Sequence, residues 1–291
     1  MPALFERSNE AVSLNPPTGA DLHLTSHGSD WLWAAFSLFG VFAVAHAGLF
    51  LFKGKKSVGH IAALSVNAIL AFTYFTLASD LGWAAVETEF KHVTVSDPLF
   101  EDLYYRQVFY ARYIGWFLGW PVLLFLVEFV GNGSTFSSFT PRLFATYALE
   151  VGGSEVFVLG LLIGSLISST YKWGYFTFST VSLLFIMSIL NYNIFKHYTY
   201  STIAKLSLLL LDLVWILYPV AWGLADGGNV IQSDSENVFY GVLDLILFAF
   251  IPTILVFQSN NEVEEPVVVG NHADSKELEP EVPRASGETA V

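Results

Sequence analysis

The chain has no cysteine among its 291 residues. That absence removes disulfides, thiolate metal sites and cysteine nucleophiles. Charge is also scarce: Asp, Glu, Lys and Arg together make 13%, about half the roughly 25% of a soluble domain. Cations are the scarcer sign, with 13 Lys and Arg against 26 Asp and Glu and a formal net charge of −13. Such a balance argues against nucleic acid as a partner and against a polybasic attachment to anionic lipid. No nucleophile–base constellation, metal motif or phosphate loop stands out, so the chain does not read as an enzyme. No apolar core with a cleavage site follows the first Met, so no secretory signal peptide is expected.

What fills the chain instead is hydrocarbon. It is 54% hydrophobic, with a mean hydropathy of +0.53. After a polar segment, residues 1–30, come seven apolar runs, each near the ~20 residues that a helix needs to cross a bilayer. They are read at about 31–52, 57–80, 107–130, 141–168, 173–196, 202–224 and 237–257. The ten-residue alternation of a membrane barrel is missing. The fold class is therefore an all-α membrane protein, a seven-helix bundle over 31–257. The bilayer is its first partner, and a homo-oligomer is compatible with the pattern. Residues 258–291 hold eight acids against Lys276 and Arg284, and are expected to be a disordered tail.

Orientation follows from the basic residues. Lys53, Lys55, Lys56, Arg142, Lys196 and Lys205 fall on alternate loops, which places those loops in the cytoplasm. The opposite loops, 81–106 and 225–236, are acid-rich. The N-terminus is then expected outside and the tail inside.

Ionisable residues within the spans are the informative exceptions, because by default they face the bundle interior and have partners. They are His46, Arg112, Glu128, Glu150, Glu155, Asp212 and Asp244. His46, among Ala45, Ala47 and Gly48, reads as a packing histidine. Glu128 and Glu150 lie near span ends and are expected to reach water. Glu155, beside Gly152, Gly153 and Ser154, suits a structural hydrogen bond at a close helix approach. Arg112 and Asp244 sit in the outer half of strongly apolar spans, and a mutual ion pair is the economical expectation, softened by a hydrogen bond from Tyr218. Asp212, Trp215, Tyr218, Pro219 and Trp222 share one helix face, and the kink expected at Pro219 makes that face a plausible pocket wall.

These residues carry a resemblance. Trp215, Tyr218, Pro219 and Trp222 look like the sixth helix of the microbial rhodopsins, whose Trp, Tyr, Pro and Trp clasp retinal. The run from Arg112-Tyr113 through Gly115-Trp116, Gly119, Trp120 and Pro121 resembles their third helix, and Asp244 resembles the start of their Asp-x-x-x-Lys motif. The departures fall on the chemistry. Phe248 stands where the Schiff-base lysine belongs, Gly115 where the proton acceptor belongs, and Leu126 where the proton donor belongs. A carbonyl condenses with an amine, and a phenyl ring cannot replace it. The pattern is similar to the fungal opsin-related proteins, including the heat shock protein 30-like group. That resemblance implies a non-photochemical, stress-responsive plasma-membrane protein without covalently bound retinal, chaperone-like or modulating a plasma-membrane proton ATPase. Two alternatives stay open: a retinal-independent proton or ion transporter using Arg112, Asp212 and Asp244, and a sensor holding a noncovalent ligand such as retinal.

Overall fold

The structure is a computed structural model, and it describes residues 9–53, 58–95, 98–99, 104–134, 140–198 and 200–262. Seven helices in it are long and apolar enough to cross a membrane. A short helix, α1 (Ala11–Leu14), precedes them. The first five spans are α2 (Ser26–Lys53), α3 (Val58–Ala78), α4 (Tyr110–Gly131), α5 (Pro141–Ser165) and α6 (Lys172–Lys196). The sixth is α7 (Thr202–Trp222), which runs into a π-helical turn at Gly223–Gly227. The seventh is built from α8 (Ser233–Asp244), a second π-helical turn at Leu245–Phe250, and α9 (Ile251–Glu262). Most of the expected tail, residues 263–291, lies outside the described residues.

Local signals explain the starts of two spans. The Thr140 side chain accepts the Leu143 N–H ahead of Pro141, and the Ser201 side chain accepts the Ala204 N–H. Each satisfies one of the orphan donors at a helix start. The third span is the most enclosed and the first the least, so α4 is the axis of the bundle. Small residues let α5 and α6 close up: a Cβ on Gly153 would meet Ile186, one on Gly160 would meet Ser179, and Ser182 Oγ donates to the Gly153 carbonyl at 2.8 Å. The outward faces carry Val44, Phe52, Phe72, Phe144 and Phe178, all exposed, as lipid-facing positions require.

Three features differ from the sequence reading. The loop between the second and third spans holds a two-stranded antiparallel hairpin, β1 (Ala84–Glu87) with β2 (Tyr105–Val108), and Leu22 bridges to Arg106 beside it. Strands of four residues leave too little alternation to read. The first span begins at Ser26, not 31, and the seventh at Ser233, not 237. Polar residues in those first turns look like loop by hydropathy, but in the fold they find buried partners. The π turns were not expected either. Hydropathy carries no information on a one-residue change of helical register.

Candidate functional site

Asp244 ends α8 with no solvent exposure. Three neutral donors surround its carboxylate. Tyr218 Oη donates to Oδ1 at 2.5 Å and Trp116 Nε1 to Oδ1 at 2.9 Å, while Tyr74 Oη donates to Oδ2 at 2.7 Å. Those donors come from α7, α4 and α3, so Asp244 pins four elements together. Hydrogen bonds to the ionised form stabilise a carboxylate without a counter-charge.

Above it lies a packed aromatic chamber. Trp120 stacks on Trp215 with centroids 5.0 Å apart, and meets Phe157 at 5.3 Å, Tyr218 at 5.8 Å and Phe248 at 6.4 Å. Trp222 stacks on Phe176 at 5.2 Å, and its Nε1 donates to Ser165 Oγ at 2.7 Å. Pro219 is buried on this face. Pro121 lies inside α4, where its carbonyl accepts from Tyr147 Oη at 3.1 Å. Phe248 falls inside the second π turn, and Asn67 Nδ2 donates to its carbonyl at 3.1 Å. Gly119 leaves room for that ring, whose edge would lie 3.4 Å from a Cβ there. Gly115 faces Thr73 so closely that a Cβ would run into the threonine side chain. Leu126 is buried in apolar packing.

The expected Arg112–Asp244 ion pair is not made. Arg112 pairs with Glu236 and donates from Nη2 to Asn237 Oδ1 at 2.5 Å; its guanidinium also lies 4.5 Å from the Tyr240 ring centroid. Glu236 is shared with Arg106, whose Nη2 reaches Oε2 at 2.7 Å. Arg106 Nη1 donates to Asn229 Oδ1 and to the Ile231 carbonyl, both at 2.8 Å. Asp226 lies 3.7 Å from Arg106 Nε and accepts from Tyr113 Oη at 2.7 Å and Ser165 Oγ at 2.8 Å. Two guanidiniums and two carboxylates thus close a buried network across α4, β2, the first π turn and α8. The physical reason for the correction is position. The seventh span starts a turn earlier than hydropathy indicates, so Glu236 enters the bundle ahead of Asp244. Arg106, Asp226 and Glu236 were assigned to loops; the available hint was their clustering at the ends of the third, sixth and seventh spans.

A second link lies just outside the spans. Buried Asp80 accepts from Gln107 Nε2 at 2.5 Å, and Gln107 Oε1 accepts the Leu24 N–H at 2.7 Å. Burial pushes the Asp80 carboxyl up to about 6, with the Gln107 hydrogen bond and the charge of His23 pulling the other way.

The remaining candidates scatter. His46 is buried and makes 3.0 Å contacts to His60 Nδ1 and to Thr253 Oγ1, tying α2 to α3 and α9. Asp212 is half-buried on the α6 side, with Asn191 as its hydrogen-bond partner. Glu155 is half-buried, with one oxygen lacking a partner among the described residues. Glu128 and Glu150 do not reach water: both have no exposure. A residue near a helix end is wet only if its own face points outward, and theirs point inward.

A family model described as bacteriorhodopsin-like protein matches residues 25–258. Over 311 residues the chain is 40% identical to the 30 kDa heat shock protein of Saccharomyces cerevisiae, covering 99% of this chain and 93% of that protein. It is 34% identical over 268 residues to the opsin-like protein carO of Fusarium fujikuroi, covering 89% and 83%. The structure of a light-driven proton pump, LR (Mac) from Leptosphaeria maculans, superposes with a TM-score of 0.70 at 24% identity, covering 82% of this chain and 98% of that one.

Proposed function

The chain belongs to the bacteriorhodopsin-like family of seven-span membrane proteins, and we propose that it is a non-photochemical member that forms no retinal Schiff base and acts through contacts with other membrane components. The observation that carries this reading is residue 248. A phenyl ring occupies the amine's place, inside a π turn, packed against Gly119 and Trp120. No Lys or Arg occurs between Lys205 and Lys276, so the seventh span offers no other amine, and the sixth offers only Lys205 in its first turn. Gly115, closed off by Thr73, supports the same reading for the proton acceptor.

The heat shock name of that relative supports a stress-linked role; in this proposal the protein acts at the plasma membrane, chaperone-like or modulating a proton-pumping ATPase. Basic residues on alternate loops support an extracellular N-terminus and a cytoplasmic C-terminus. In this reading the protein carries out no catalysis, and Asp244 is a structural acceptor. The transporter alternative draws little support, because the described hydrogen bonds of Asp212 and Asp244 do not connect. A second reading, a sensor for a small noncovalent ligand, draws on one observation: the indole N–H groups of Trp120 and Trp215 have no partner among the described residues.

The test is purification in the presence of all-trans retinal. The expected outcome is no red-shifted visible band and no adduct after borohydride reduction. A stable adduct on any lysine overturns the proposal. A shifted band without an adduct selects the noncovalent-ligand reading.

A further inference from the structure

Glu128 lies in the last turns of α4 and Glu150 in the third turn of α5, both fully buried. Their carboxyls stand within hydrogen-bonding reach of each other. Glu128 Oε2 accepts from Tyr198 Oη. With both groups ionised, Glu128 Oε1 and both Glu150 oxygens have no donor among the described residues. The described ion pairs involve Arg106, Arg112 and Lys172, each with a partner elsewhere. Two adjacent carboxylates, desolvated and without a cation among the described residues, repel each other and cannot both stay charged. A single proton removes the conflict. It turns the repulsive contact into an O–H···O⁻ hydrogen bond and leaves one charge for Tyr198 to stabilise.

The pair also has a way out. A cleft of about 190 Å³ opens at this end of the bundle, lined by Asn132, Thr140, Arg142, Thr146, Asn193 and Tyr198. Tyr198 is common to the cleft and to the carboxyl pair. The other titratable groups near the pair are accounted for. Tyr147 donates to the Pro121 carbonyl, Tyr200 donates to the Val127 carbonyl, and Arg142 and His197 sit in the cleft wall. The α6 face contributes Asn193, whose Nδ2 has no partner among the described residues.

We propose that Glu128 and Glu150 form a proton-binding site, holding one proton between two carboxyls and exchanging it with water at the Arg142 end of the bundle through Tyr198 and the cleft. In binding, the Tyr198 hydroxyl passes its proton to Glu128 and takes one from a hydronium ion in the cleft, which leaves water and a restored phenol. Release is the reverse. The two groups titrate as one unit. None of this depends on retinal or on the reading of residue 248.

The test uses the full chain in lipid nanodiscs, followed by infrared spectroscopy of the carboxylic-acid C=O stretch and its exchange in D₂O at neutral pH. Glu150→Gln is expected to fold, since an amide replaces a protonated carboxyl of the same shape, and to remove one carboxyl equivalent from the band. Glu128→Gln gives a second reading of the same band. Tyr198→Phe is expected to keep the band and slow its exchange at least about tenfold, as loss of a proton relay does. An unchanged band in both Gln variants overturns the proton site. Unchanged exchange in Tyr198→Phe overturns the route.

Discussion

Glu236 and Glu150 are both glutamates without solvent exposure in the same bundle, yet their surroundings are opposite. Glu236 meets two guanidiniums. Glu150 meets another carboxyl and no donor among the described residues. Burial by itself therefore says little about the state of an acid. At the hairpin end of the bundle, charge is balanced by cations drawn from β2 and α4. At the Arg142 end the nearby cation stays at the surface, and the balance falls to a proton. Asp244 sits between these extremes, with three neutral donors and no ion pair among the described residues.

The contrast breaks most sharply at Arg112. Arg112→Leu leaves Glu236 with Arg106 alone, and removing one side of a buried pair typically costs about 3–5 kcal/mol. Detergent melting should fall steeply, while the double variant Arg112→Leu, Glu236→Leu should recover much of the loss. If the single variant melts like the parent, Arg106 carries Glu236 unaided and the two-cation account fails.

Asp244→Asn is the intermediate case. It keeps the size and one acceptor but turns charge-assisted hydrogen bonds into neutral ones, a difference of about 1–2 kcal/mol. Melting should drop by less than for Arg112→Leu. A larger drop would mean that the Asp244 charge, beyond its three donors, holds the bundle together.

The smallest effect is expected at Asp80, which makes no ion pair among the described residues and has only the Gln107 hydrogen bond and the charge of His23 opposing its burial. Its carboxyl is raised from 3.8 to about 6 by burial. The unfolded chain therefore ionises first as pH rises. Stability is fully present below about 4, declines through about 6, and is flat above. Asp80→Asn should flatten that part of a melting-versus-pH curve. A wild-type curve without any slope in this window would show that Asp80 remains hydrated.

The seven spans and the aromatic faces of the third and sixth were legible because hydropathy and helical periodicity are properties of runs. Trp116, Trp120, Trp215, Tyr218 and Phe248 form linked ring contacts, Trp222 packs instead on Phe176 and Trp173, and Tyr218 does bond to Asp244. The partner of Arg112 was not legible. Glu236 lies in a polar first turn that only the packed structure reveals as interior. The Glu128–Glu150 contact was hidden for a related reason. Distance from a helix end is readable, but which way a side chain points there depends on the neighbouring helices. The hairpin and the π turns are set by tertiary contacts, with four-residue strands and a one-residue register change leaving little trace in composition.

The closeness of Thr73 to Gly115 ties the two positions together. A carboxylate at 115 would run into the Thr73 side chain and would require a smaller residue 73. An amine at 248 would likewise displace a ring that packs against Gly119 and Trp120. Neither position changes independently of the side chains that touch it.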